Sequence, residues 1–271
     1  MKISVIVSTY NRPDTLEKVL EGLLLQTRLP DEILVADDGS DRKTVEMLEP
    51  YLDNSDVDII HIWHEDRGFR LAEIRNRAIA ASRGQYLVFL DGDCIPDRHF
   101  VQDHLALARK GCFFQGKRVI VGRKCTPFFR FQDTVSLMQR LKHLACRNIS
   151  NGHHIFRLRF FPSYTTRKLS GIRSCNMGFF KEDLVAVNGF NQEFTGWGRE
   201  DSELAARLYR YGLKRRENPF RAVCYHLWHP ENSRTWLARN DELLEKTLQA
   251  KEFYCTRGIK SLNDDGDGYE L

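Results

Sequence analysis

Asp91-Gly92-Asp93 follows four apolar residues, Leu87 to Leu90. A chain leaving a buried strand there carries two carboxylates to the strand end, and Gly92 permits a sharp exit between them. Carboxylate oxygens select hard cations, Mg²⁺ or Mn²⁺, which keep positions open for further oxygen ligands. The plainer alternative is an Asp-Gly turn with a second aspartate. Asp37-Asp38-Gly39-Ser40 follows another apolar run and reads either as a cap for the next helix or as a recognition loop. Glu200-Asp201 stands behind Gly196-Trp197-Gly198 and opens a helical pattern, Ser202 to Tyr211. Adjacent carboxylates at a helix start cannot both be buried cheaply as anions, so one should face a ligand; a capping pair is the bland alternative. His226 and His229 follow a short apolar strand, Arg221 to Cys224. Histidines at i and i+3 on an extended segment rarely close on zinc without further ligands, and either alone could be a surface histidine.

Elements of regular period must position these groups. Lys2 to Ser8 reads as a buried strand, and Asp14 to Gln26 as a helix with Leu16, Val19, Leu20, Leu23 and Leu24 on one face behind Pro13. Strands over Glu32 to Ala36, Val57 to His64 and Gln85 to Leu90 alternate with helices over Arg42 to Leu52 and Leu71 to Ser82. Such a βαβαβαβ run pairs in parallel with right-handed crossovers, and ligands of such sheets bind beyond the carboxyl ends of the strands. Three polar loops, after Ser8, Ala36 and Leu90, therefore converge on one edge. Beyond residue 112 the alternation turns irregular, and from Asn232 a helix is followed by a polar, acidic end, Asn263 to Leu271, expected to fray.

At 271 residues and 42% hydrophobic content the chain can bury a sizeable core. No apolar run approaches the roughly 18 residues of a membrane span, and the N-terminus reads as a strand rather than a cleavable leader, so a cytoplasmic chain is expected. Seven cysteines without a CxxC pair argue against a disulfide framework and a cysteine zinc site. The net charge of +4 is unevenly spread: Arg98 to Lys168 holds 15 Lys and Arg against only Asp103 and Asp133. The middle of the chain thus invites an anionic partner, while the absence of any nucleic-acid recognition motif speaks against that class.

VIVSTYNR (Val5 to Arg12), VADDGS (Val35 to Ser40), RLAEIRNRAIA (Arg70 to Ala80) and YLVFLDGD (Tyr86 to Asp93) resemble the nucleotide-sugar half of family 2 glycosyltransferases of the GT-A fold. Ser170 to Gly189, then Phe194-Thr-Gly-Trp-Gly-Arg-Glu-Asp-Ser-Glu, is similar to the acceptor half of β-1,4-galactosyltransferases and chondroitin-type polymerases. The two resemblances cover roughly two thirds of the chain; residues 123 to 168 and the tail lie outside them. They imply an α/β, Rossmann-like GT-A fold with a mostly parallel sheet flanked by helices, a basic α-rich insertion and a C-terminal helical tail. One catalytic domain over 1–271 is expected, with a nucleotide-sugar half (1–111), an acceptor half (112–230) and a helix with tail (231–271).

The resemblance also implies roles. Thr9 and Tyr10 would line the uracil and ribose pocket, Asp38 would read the base, Arg70 would neighbour the diphosphate, and Asp91 and Asp93 would hold ribose and a Mn²⁺ or Mg²⁺ ion. Asp93 would be the direct ligand, with His226 completing the metal shell and His229 in reserve. Asp201 would be the general base and Glu200 an acceptor hydrogen-bond partner, with Trp197, Gly198 and Asn176 also on the acceptor. A Trp between two glycines suits a sugar platform on a mobile loop. The implied activity is inverting transfer of a hexose or N-acetylhexosamine from a UDP-sugar to a hydroxyl of a bacterial lipopolysaccharide or capsule precursor. That acceptor would be anionic or lipid-linked, met by Arg157, Arg159, Arg167 and Lys168, with peripheral contact at the inner membrane face. A sugar nucleotidyltransferase would need a Gly-rich phosphate loop that Ser8 to Pro13 lacks; a non-catalytic carbohydrate-binding module would retain the pocket without turnover.

Overall fold

A computed structural model describes residues 1–54, 56–231 and 233–263; most of the predicted fraying end lies outside them. The first third is the predicted alternation: β1 (Ile3–Thr9), α1 (Pro13–Leu24), β2 (Glu32–Asp37), α2 (Arg42–Asn54), β3 (Asp58–Trp63), α3 (Leu71–Ala81) and β4 (Tyr86–Asp91). Then come β5 (Cys94–Pro96), α4 (Phe100–Leu107), β6 (Cys112–Gln115), β7 (Lys117–Val121), α5 (Phe131–Val135), α6 (Leu137–Ala145), β8 (Ile149–Ser150) and β9 (Tyr164–Thr166). The last part holds β10 (Asn176–Phe180), α7 (Lys181–Ala186), α8 (Glu200–Tyr211), β11 (Lys214–Glu217), β12 (Val223–His226) and α9 (Leu237–Gln249).

An eight-stranded sheet runs in the order β3-β2-β1-β4-β10-β6-β11-β9, so strands from both halves share one sheet. All seven residues of β1 are buried because both sheet faces are covered. Ile3, Val5 and Val7 enter the core beneath α1, whereas Ile6 joins α3 and α8 on the other face. In α1, Pro13 supplies a fixed φ where no amide partner is needed, and Leu16, Val19, Leu20 and Leu23 lie fully buried against the sheet. No helix among the described residues is long and apolar enough to cross a membrane.

Register decides which residues meet. The first four strands are parallel, with Thr9 beside Asp37 and Ser8 beside Asp91, so their loops emerge together. β10 then runs antiparallel to β4, with Asn176 opposite Leu90. This reversal delivers the start of β10, and the Ser174 to Cys175 segment before it, to the rim where β1 and β4 end. A second sheet, in the order β5-β12-β7-β8, was not anticipated. It gives the basic middle strands as well as helices, and it sets His226 opposite Cys94, next to Asp93. Strand β12 includes His226, which the sequence placed just beyond it.

Candidate active site

Gly92 makes the turn between the two aspartates. Its amide donates to the Ser8 carbonyl at 2.7 Å, and a Cβ there would stand 2.9 Å from the same oxygen, too close for any other residue. Asp93 is buried, with His229 Nε2 at 3.2 Å, Arg12 Nη1 at 3.2 Å and His226 Nε2 at 3.7 Å. One ligand atom from each of Asp93, His226 and His229 lies within 4.8 Å of the other two. The expectation of His226 with His229 in reserve is therefore amended: both face the same carboxylate. Burial and then the Arg118 charge push the His226 imidazole down to about 4, leaving its ring neutral and able to ligate. Burial raises Asp91 and Asp93 above the usual carboxylate range, opposed by Arg75 at Asp91 and by His229 and Arg12 at Asp93.

The organising cation is Arg75, which the sequence reading did not single out. Its guanidinium is wholly buried and donates to Ser8 Oγ at 3.1 Å, Ser174 Oγ at 3.0 Å and Asp91 Oδ1 at 3.1 Å, with Glu200 Oε1 at 3.6 Å. A buried charge costs several kcal/mol unless paired, so these partners fix β1, β4, the strand β10 approach and α8 around one group. The signal was present: within RLAEIRNRAIA, Arg75 falls on the apolar face one turn after Leu71, where a cation needs a partner from elsewhere.

Arg70, expected beside a diphosphate, is used differently. Its guanidinium binds Glu73 at 2.9 Å and the Glu65 carbonyl, and the cations lining the cleft beside the aspartates are instead Arg12, Arg75 and Arg118. The Arg70 amide donates to Asp38 at 2.9 Å, and His64 Nε2 lies 2.7 Å from the other oxygen of that carboxylate. Asp38 thereby clasps its loop to the start of α3 while facing the cleft. Burial lifts its carboxyl above the ordinary range against the pull of His64. A carboxylate offers about four acceptor positions, so one stays available to a base N–H. Tyr10 is half exposed and donates to Asp66 at 2.9 Å, and Thr9 Oγ1 is buried at the cleft without a partner.

Glu200 and Asp201 begin α8 and line the same cleft as Asp91 and Asp93, a space of about 1070 Å³. The preceding loop needs its glycines, since Gly196 and Gly198 adopt φ of +71° and +107°. The loop is less free than expected, because Asn240 on α9 donates to the carbonyls of Thr195 at 3.1 Å and Gly198 at 2.9 Å. Trp197 remains 40% exposed at the cleft, as a stacking platform requires. Asp201 Oδ1 accepts from the Ser202 amide at 2.6 Å and Oδ2 from the Ser174 amide at 3.3 Å. Burial raises Asp201, with the Ser202 amide opposing. Burial and the adjacent Asp201 push Glu200 up to about 7, against the pull of Arg75.

Asn176 is a correction. It is fully buried rather than open to an acceptor, with Nδ2 donating to the carbonyls of Ala222 at 2.8 Å and Lys117 at 3.0 Å and Oδ1 facing His104 Nε2 at 2.9 Å. It joins the two sheets. Arg157 is also redirected, forming a paired contact to the buried Asp103 at 2.7 and 2.9 Å, so it is no free surface cation.

The Glu200 environment has a measurable consequence. An unfolded Glu ionises near 4.5 and the folded one near 7, so the folded state holds the proton more tightly and loses stability as pH rises between those values. Glu200→Gln, which cannot ionise, is expected to melt above the wild type at pH 8, by at most about 3 kcal/mol, and to lose that advantage at pH 4.5. Thermal unfolding of both proteins without nucleotide checks this; an offset equal at the two pH values would contradict it.

A parallel half whose strand ends carry aspartates, joined by a reversed strand to a half that brings in two further carboxylates, is the GT-A architecture. Staphylococcus aureus TarS in complex with UDP-GlcNAc shares this fold at a TM-score of 0.64 and 18% identity, covering 91% of this chain and 66% of that one. Mannosyltransferase PcManGT from Pyrobaculum calidifontis, in complex with GDP-Man and Mn²⁺, does so at 0.60 and 19%, covering 91% and 62%. The profile of Glycosyl transferase family 2 matches residues 4–167, and the chain belongs to that family. Residues 144–230 match the N-terminal domain of galactosyltransferase. Chondroitin synthase of Escherichia coli is 27% identical over 270 residues, covering 94% of this chain and 39% of the relative. Validoxylamine A glucosyltransferase of Streptomyces hygroscopicus subsp. limoneus is 30% identical over 227 residues, covering 78% and 48%. The chain thus spans less than half the length of these two relatives.

Proposed function

We propose that the chain is a metal-dependent, inverting glycosyltransferase that moves a hexose or N-acetylhexosamine from a UDP-sugar to a hydroxyl of a glycan acceptor. The observation that carries this reading is the meeting of Asp93, His226 and His229 with Glu200 and Asp201 in one cleft, around the Arg75 guanidinium that touches both Asp91 and Glu200. Thr9, Tyr10 and Asp38 would receive the nucleoside, and Asp91 the ribose. One carboxylate oxygen and two imidazole nitrogens suit a divalent cation, and this donor set fits Mn²⁺ better than Mg²⁺, which prefers an all-oxygen shell. Such an ion, held by Asp93, His226 and His229, would supply Lewis-acid neutralisation of the departing diphosphate.

Asp201 takes the proton of the acceptor hydroxyl as its oxygen bonds to the anomeric carbon and the bond to the diphosphate oxygen breaks. Attack opposite the leaving group inverts the anomeric centre. Glu200 holds the acceptor and Trp197 stacks on its ring. The UDP-GlcNAc complex of TarS supports a UDP-linked donor, and a chondroitin synthase among the relatives supports a polymeric glycan acceptor. A bacterial lipopolysaccharide or capsule precursor at the inner membrane face fits these residues, with Met138 and Phe160 exposed amid the basic middle as the peripheral contact.

Incubation with a panel of UDP-hexoses and UDP-N-acetylhexosamines plus Mn²⁺, without acceptor, tests the reading. Slow release of UDP from one of them, stopped by a chelator and restored by Mn²⁺, is expected. If no nucleotide sugar is hydrolysed or raises the melting temperature with either metal, the proposal fails.

A further inference from the structure

A second cavity, of about 610 Å³, lies between the start of β7, strand β9, the segment before β10 and strand β11. It shares Arg118, Arg173 and Cys175 with the cleft that holds the aspartates, so the two spaces adjoin. Its lining is strongly cationic: Lys117, Arg118, Lys168, Arg173 and Arg215 against the single acid Glu217. That carboxylate is fully used by Lys117, by Arg215 Nε at 2.8 Å and by the Tyr164 hydroxyl at 3.1 Å. No carboxylate among the described residues pairs with Arg118, Lys168 or Arg173. Arg118 is half-buried, its Nη1 reaches only Cys175 Sγ at 3.8 Å, and its Nε has no partner. The Arg118 charge is partly met by Asp91 and Asp93, which leaves Lys168 and Arg173 without an acidic partner among the described residues; cations gathered around one concavity repel each other unless an anion joins them, and guanidinium forks suit carboxylate, phosphate or sulfate oxygens.

We propose that this cavity is an acceptor subsite that holds an anionic group of the glycan, on the sugar next to the one receiving the transferred residue. The inference rests on the transferase reading and deepens it by placing the anion. The volume accommodates one sugar ring with its charged substituent. Arg118 and Arg173 stand between the two spaces, so a chain seated in the cavity has its adjoining unit in the cleft with Glu200 and Asp201. Of the cations predicted to meet the acceptor, Lys168 lines this cavity while Arg157, Arg159 and Arg167 do not, and Arg118 and Arg173 join it.

Calorimetric titrations in Mn²⁺, UDP and 150 mM salt compare methyl glucuronide, glucose 6-phosphate and glucose 6-sulfate with neutral methyl glucoside, in the wild type and in Lys168→Ala/Arg173→Ala. Both residues are exposed. At least one anionic sugar should bind more tightly than methyl glucoside, and which one binds identifies the charged group. The double variant should weaken that sugar about tenfold or more, leave methyl glucoside and Mn²⁺–UDP binding unchanged, and be rescued by Lys168→Arg/Arg173→Lys. Equal binding of charged and neutral sugars, no binding of any, or full anion binding by the double variant would overturn the inference. Absent Mn²⁺–UDP binding in the wild type would instead overturn the transferase reading.

Discussion

Asp93→Ala is expected to abolish metal-dependent UDP binding, so that titration with UDP releases the same small heat with Mn²⁺ as without it. Among the described residues Asp93 is the one carboxylate that both histidines face, at 3.2 Å from His229 and 3.7 Å from His226. Without it two imidazoles remain, and a hard cation keeps little reason to sit between them. Loss of at least about 100-fold in apparent affinity is expected, beyond the 10- to 100-fold typical of removing a group that merely supports a ligand. His226→Ala and His229→Ala should each cost less, since either leaves the carboxylate and one ring. Unchanged heats in Asp93→Ala would move the metal elsewhere. The melting temperature distinguishes this outcome from unfolding, because only Arg12, the two histidines and the neighbouring Cys94 thiol lose a partner.

Asp201→Asn should separate binding from chemistry. The amide oxygen at the Oδ1 position can still accept from the Ser202 amide at 2.6 Å, and only the longer 3.3 Å bond from the Ser174 amide is given up, so the start of α8 and the donor site are expected to survive. It cannot take up a proton. Transfer should fall by about 10² to 10⁴, the usual contribution of a general base, with Mn²⁺–UDP affinity unchanged. Glu200, raised to about 7 by burial and the adjacent Asp201, is the competing candidate for that role, and the two variants decide between them. Turnover close to normal in Asp201→Asn, or a comparable loss in Glu200→Gln alone, would reassign the base.

Much of the donor half was readable in advance. The strands and helices from Ile3 to Asp91 fall within a residue or two of where alternation and helical spacing put them. The carboxyl-end rule also placed Thr9, Asp38, Asp91 and Asp93 at one rim. Sequence did less well with side chains whose partners are remote. Arg70 and Arg75 lie five residues apart in one motif, yet only the second enters the cleft beside the aspartates; which face of α3 turns inward decides between them. Asn176 sits in a motif that reads as acceptor-binding and is spent instead on joining two sheets. The helix after Asn232 reads as an appendage, whereas its Asn240 pins the Gly-Trp-Gly loop.

By itself, then, the sequence determined the elements, because burial periodicity is local and each strand or helix carries its own record of which residues turn inward. It also determined the chemical inventory, since carboxylates and histidines beside glycines survive any arrangement of the chain. Only the tertiary structure decided which of these groups meet. His226 reaches Asp93 because β12 pairs antiparallel with β5 in one register, and Glu200 reaches Asp91 because β10 reverses direction beside β4 and Arg75 lies between them. Those pairings join segments far apart along the chain, and their stability comes from backbone hydrogen bonds and packing that no single segment specifies.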